Sequence, residues 1–181
     1  MRSETLRLLP YAGIPALVTA LFLLQAGGPD PFLLLRKLIL LVIGYVCAIT
    51  DLKTKQIPNK LVLVIMASWI LMITPELFLN TASAVLMLKD SAIGFATGGG
   101  LFLLVYLISR KGLGGGDVKF MAASGLYLGF GGVLPAMLYG SVLAALTALI
   151  LIVVKKIGRK DTIPLVPFLY MGILITVFFQ M

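Results

Sequence analysis

Two of the seven acidic residues in this sequence stand where a carboxylate is costly. The seven are Glu4, Asp30, Asp51, Glu76, Asp90, Asp117 and Asp161. Asp51 closes the apolar run LILLVIGYVCAIT, and Asp117 opens the run VKFMAASGLYLGF. Each carboxylate should therefore lie at or just inside a membrane boundary, where an ionisable group is expensive and marks function. Taken singly, each has a plainer reading, Asp117 as a helix cap and Asp51 as an ordinary interfacial residue. As a pair in a poorly hydrated place they cannot both stay ionised, so one proton is shared between them. One carboxylate can then take a proton from an attacking water while the other donates a proton to a carbonyl oxygen and later to the leaving amine. Such chemistry hydrolyses an amide without metal or cofactor, and neither is expected here.

The rest of the sequence removes the competing chemistries. Histidine is absent and Cys47 is the only cysteine. Zinc sites of the HExxH kind, Cys-rich metal ribbons, disulfides, and Ser-His or Cys-His nucleophile systems cannot be assembled. Cys47 sits in an apolar run and reads as a small buried packing residue. Ahead of Asp117 runs the segment Gly112, Leu113, Gly114, Gly115 and Gly116. Its bare backbone could let an extended substrate lie beside the carboxylate, so Gly114, Gly115 and Gly116 are the expected substrate-binding residues. The alternative is a flexible connector. Among the neighbouring residues, Asn59 is expected to cap a helix after Pro58 stops a loop, and Pro164 to start the last helix, with Pro167 just behind it.

What must position these residues is a set of membrane helices. The chain has 181 residues, 60% hydrophobic and 12% charged, with a mean hydropathy of +1.10. That composition belongs to an all-α polytopic membrane protein whose partner is the lipid bilayer. Apolar runs of about 20 residues fall at 6–26, 31–50, 60–79, 91–109, 133–154 and 163–180. A shorter run at 118–130 ends in Gly129, Gly131 and Gly132. Seven spans, the fifth short, are thus expected, in one transmembrane domain covering 1–181. Gly94, Gly98, Gly99 and Gly100 in the fourth span predict close helix packing.

The net charge of +8 follows topology and not nucleic-acid binding. With the amino terminus inside, the inner segments hold Arg2, Arg7, Lys53, Lys55, Lys60, Arg110, Lys111, Lys119, Lys155, Lys156, Arg159 and Lys160. The outer ones hold Arg36, Lys37 and Lys89. This positive-inside bias puts Asp51 and Asp117 on the cytoplasmic side and the carboxyl terminus outside. Arg36 and Lys37 lie about one turn inside their span, so either they snorkel outward or 29–37 is an interfacial segment.

Gly114, Gly115, Gly116 and Asp117 resemble the GxGD signature of intramembrane-type aspartic proteases. Asp51, with Lys53, Ile57, Pro58 and Asn59, is similar to the first aspartate motif of prepilin peptidases, and Ile163 to Leu169 (IPLVPFL) is similar to a third stretch of that family. The resemblance covers about residues 38–172 in the family's order. It implies a GxGD aspartic protease fold, with Asp51 and Asp117 as the catalytic pair. It also implies an endopeptidase of the inner membrane, removing the short basic leader of a type IV pilin-like precursor at the cytoplasmic face. Larger members carry a cytoplasmic insertion with paired CxxC motifs and methylate the new amino terminus. That insertion is missing here, so methylation is not expected, and the compact form looks like the peptidases of Tad or Flp pilus systems. An archaeal preflagellin peptidase is a close alternative, and a presenilin-like protease or a small ion-coupled transporter are more distant ones.

Overall fold

The computed structural model describes residues 31–109, 113–155, 158 and 163–179. The expected first span at 6–26 lies outside them. So do Gly112, Asp161 and the cationic residues Arg2, Arg7, Arg110, Lys111, Lys156, Arg159 and Lys160.

The described residues form five helices: α1 Pro31–Thr54, α2 Asn59–Leu79, α3 Thr81–Ile108, α4 Gly115–Val153 and α5 Val166–Phe179. Helix is the expected answer for such apolar segments, since lipid offers no partner for a bare backbone amide. The first four are long and apolar enough to cross a membrane, whereas α5 has 14 residues. The expected spans 31–50, 60–79, 91–109 and 163–180 correspond to α1, α2, α3 and α5, and the runs 118–130 and 133–154 both fall within α4. Side chains such as Leu71, Phe78 and Leu79 are 75%, 85% and 83% exposed. Outward apolar surface of this extent suits hydrocarbon and not water.

Helix α4 is broken at Gly129, which has φ 66° and ψ −174°. A side chain is rarely tolerated at that φ, and a Cβ there would also collide with the carboxylate of Asp90. The break reverses the chain. A Cβ built at Gly98 on α3 would lie 2.6 Å from the Met121 carbonyl oxygen and 2.9 Å from Val133 Cγ2. In a straight helix, residues twelve apart sit about 18 Å apart along the axis. Both can reach Gly98 only if the segments on either side of Gly129 fold back together.

The close approach uses the glycines of α3. At Gly94 a Cβ would run into the backbone of Gly125 and Gly129, and at Gly99 it would lie 2.9 Å from Ala122 Cβ. Gly100 faces open space. Three of the four glycines in this stretch thus lie against α4, as close packing requires. The core continues where Gly140 of α4 meets α5, a Cβ there falling 2.7 Å from Leu169 Cα. Phe120, Met121, Ala123, Val133, Leu169 and Ile173 are fully buried around these crossings. Helix α1 packs mainly on α5 and has little direct contact with α4. Cys47, on α1, is a buried free thiol.

Arg36 corrects the sequence reading. It does not snorkel outward: α1 is helical from Pro31, and Arg36 is 8% exposed and turned into the bundle. Its Nη2 donates to the carbonyl oxygens of Leu126 at 3.0 Å and Tyr127 at 2.6 Å, and to Ser91 Oγ at 3.3 Å. Asp90, just ahead of the apolar run 91–109, is already within α3, which begins at Thr81. It accepts the Phe130 N–H at 3.0 Å, just past the break.

Candidate active site

Asp51 is carried by the last turn of α1. That turn is closed by Lys55, whose N–H donates to the Asp51 carbonyl at 2.8 Å from a left-handed conformation with φ 52°. Thr54 adds a hydroxyl bond to the Thr50 carbonyl at 2.8 Å. The Asp51 side chain is 4% exposed. Its Oδ2 accepts the backbone N–H of Val166 at 3.1 Å, one of the amides that the start of α5 leaves without a helical partner.

Asp117 sits in the first turn of α4 and is 8% exposed. Its Oδ2 accepts the Gly114 N–H at 3.1 Å, while its own N–H donates to the Gly114 carbonyl at 3.1 Å. This reciprocal pair resembles a capping box, with a backbone carbonyl in place of the capping side chain. It also places a carboxylate where the helix dipole favours negative charge.

The two carboxylates line one cavity of about 320 Å³ and lie near enough for their charges to interact. Gly114, Gly115 and Gly116 line the same cavity. They differ in what surrounds them. A Cβ at Gly114 would come within 2.8 Å of Asp117 Oδ2, one at Gly116 would meet Ile57 at 3.2 Å, and one at Gly115 would meet nothing. Gly115 is thus an open stretch of wall beside the carboxylates.

The remaining lining comes from Lys55, Gln56, Ile57, Asn59 and Lys119. From the sequence, Lys55 and Lys119 are expected as inner-side charges on the surface that a leader would meet, not as walls of the cavity itself. The spacing of Lys119 two residues after Asp117, in the first turn of the same helix, was the signal that could have brought it to the site. Asn59 does not cap α2. The cap position belongs to Pro58, with φ −61° and ψ 132° and no side-chain bond, and Asn59 is already helical. Its Oδ1 instead accepts from Lys119 Nζ at 2.9 Å, joining the start of α2 to the start of α4. Pro164 does not start α5. The helix begins at Val166, with Pro167 in its first turn, where a missing N–H costs no helical bond. Pro164 lies in the non-helical lead-in that delivers the Val166 amide to Asp51.

The helix bundle thus brings two buried aspartates and a glycine-lined wall into one cavity. The chain belongs to the type IV leader peptidase family, whose model matches residues 38–149. It is similar to the prepilin leader peptidase/N-methyltransferase of Xanthomonas campestris pv. campestris, with 30% identity over 120 residues. Those residues are 66% of this chain and 41% of that relative. No solved structure matches the chain significantly. The region matched by the family model, 38–149, includes Asp51 and Asp117 together with Gly114, Gly115 and Gly116.

Proposed function

We propose that this protein is an aspartic endopeptidase of the GxGD type, cutting the leader from a type IV pilin-like precursor at the cytoplasmic face of the inner membrane. One observation carries the reading: Asp51 and Asp117, 66 residues apart in sequence, line a single cavity. Membership of the leader peptidase family supports the substrate class.

In this mechanism the scissile strand lies along Gly114 to Gly116. Two like charges shielded from water favour a single shared proton. The ionised aspartate removes a proton from water as the water oxygen bonds to the peptide carbon, and the protonated partner gives its proton to the carbonyl oxygen. As the resulting diol collapses, one of its hydroxyls returns a proton to the second aspartate and the C–N bond breaks. The amine leaves with the proton first taken from water, which restores the shared-proton pair. Neither metal nor cofactor enters.

The proposal includes topology. Seven crossings, with α4 contributing two, place the amino terminus in the cytoplasm and the carboxyl terminus outside. The cations near the site, Lys53, Lys55, Lys60 and Lys119, then fall on the cytoplasmic side. Methylation of the new amino terminus is not part of the activity.

The test is direct. Purified protein in detergent is incubated with candidate prepilins, and the product mass is measured. Loss of the leader's mass, with the cut after a glycine, is expected, and no cleavage of any type IV pilin-like precursor would sink the reading.

A further inference from the structure

The break at Gly129 leaves polar backbone inside an apolar bundle, and two charged side chains from other helices meet it. In an unbroken helix the carbonyls of Leu126 and Tyr127 would accept from the amides four residues on. Here both accept from Arg36 of α1 at 3.0 and 2.6 Å, and the Phe130 N–H turns to Asp90 of α3 at 3.0 Å. The signs match the helix ends they serve. A cation sits at the carboxyl end of segment 115–128 and an anion at the amino end of the segment beginning at 130. Arg36 and Asp90 also attract one another.

Arg36 lies on the same helix as Asp51, and the carbonyls it holds lie on the same half-helix as Asp117. Helix α1 and half-helix 115–128 therefore run antiparallel and meet at both ends. The lengths agree. Fifteen residues from Arg36 to Asp51 rise about 22 Å, and ten from Asp117 to Tyr127 rise about 15 Å, leaving about 7 Å for an extended arginine to cover. Between these ends α1 and α4 share little surface, because α1 packs on α5. Direct contacts between the two aspartate-bearing helices are thus few, the remaining coupling passing mainly through α5, and the Arg36 contact holds the end of segment 115–128 opposite Asp117.

We propose that Arg36 is a positioning residue for Asp117: by tying the far end of half-helix 115–128 to α1, it sets the register that brings Asp117 beside Asp51. This rests on reading the two aspartates as a catalytic pair. The three bonds to Ser91, Leu126 and Tyr127 are all made by one nitrogen, Nη2, while among the described residues Nε is buried with no partner. A lysine ammonium offers three donors at one point and no Nε–H to strand. Charge alone is therefore not enough; a cation must meet the carbonyls.

The test uses the full chain with Cys47→Ala and measures only folded, monodisperse protein. In one arm Asp51→Cys and Asp117→Cys are joined by a short bifunctional thiol reagent. Cross-link yield should fall severalfold on adding Arg36→Met or the milder Arg36→Gln, stay near the parent with Arg36→Lys, and remain low in the charge-swapped pair Arg36→Asp with Asp90→Arg. In the other arm, with both aspartates present, Arg36→Met should lower kcat for prepilin cleavage by up to about 100-fold, the scale for a misplacement of about 1 Å. KM should change little, and Arg36→Lys should restore most of kcat. Unchanged cross-linking in Arg36→Met and Arg36→Gln, or full recovery by the swapped pair, overturns the proposal. If the parent cleaves no prepilin, the functional reading fails while the cross-linking arm still decides the register.

Discussion

The Asp51 carboxylate accepts the Val166 amide at 3.1 Å across 115 residues of sequence, tying the last turn of α1 to the first turn of α5. One oxygen of Asp51 is thus committed to structure, and the chemistry assigned to this residue must use the other. Asp117 is similarly divided, its Oδ2 held by the Gly114 amide.

This division makes Asp→Asn a clean substitution. An asparagine oxygen can keep either backbone bond, so Asp51→Asn and Asp117→Asn should fold with thermal midpoints near that of the parent. Each should reduce cleavage by about 100-fold or more, because an amide cannot exchange the required proton. Asp161→Asn should keep substantial activity. Wild-type cleavage rates in either of the first two variants would remove the pair from the mechanism.

The glycine wall separates positioning from binding. Gly115→Ala meets no protein atom, so its stability should match the parent, and any loss of cleavage must come from the substrate's side. Gly114→Ala presses on the Asp117 carboxylate and should lower kcat even for a substrate that still binds. Titrating prepilin against both variants separates the effects, and a Gly115→Ala enzyme with unaltered KM and kcat would show that substrate does not lie there.

Helix packing at α3 should be unforgiving. Gly94→Leu would drive a side chain into the backbone of Gly125 and Gly129, which cannot rotate away. Overpacking of this kind costs about 1–3 kcal/mol or more, whereas Gly100→Leu, facing open space, should be nearly neutral. Thermal unfolding in detergent ranks the two, and equal stability would contradict the close crossing.

Sidedness is read by labelling. In a Cys47→Ala background, a cysteine at Lys55 should react with an impermeant maleimide only from the cytoplasmic side, and one at Glu76 only from outside. Reaction at position 55 from outside would put the cavity on the wrong face for a leader peptide.

The substrate should be recognised by size more than by charge. The cavity is already lined by Lys55 and Lys119, which repel a basic leader, whereas the space beside Gly115 favours a small residue before the cut. A bulky residue there should block cleavage, and neutralising leader lysines should matter less to the purified enzyme. The reverse ranking in a detergent assay would refute this account.

Much of the site was legible because depth is written in composition: a carboxylate at the edge of a long apolar run stands out whichever way the helices later pack. The apolar helices among the described residues were legible for the same reason, though their ends were not. Asn59 looked like a cap because local sequence favours that role, but a lysine 60 residues away claimed its oxygen. Arg36 looked misplaced in its span because its two shortest bonds go to carbonyls, which have no letter in a sequence and become acceptors only when Gly129 breaks α4. Asp90 falls in the gap between the apolar runs 60–79 and 91–109, although the helix already begins at Thr81.

The shortness of half-helix 115–128 has a consequence for the surrounding lipid. Fourteen residues rise about 21 Å, against a hydrocarbon thickness of about 30 Å. If segment 115–128 is one of the crossings of the proposed topology, the turn at Gly129 and the exposed Asp90 beside it cannot reach the far headgroups of an average bilayer unless that leaflet thins or water descends to meet them. Under that topology acyl-chain length should be a parameter of the fold, with cleavage better supported in thin bilayers than in thick ones.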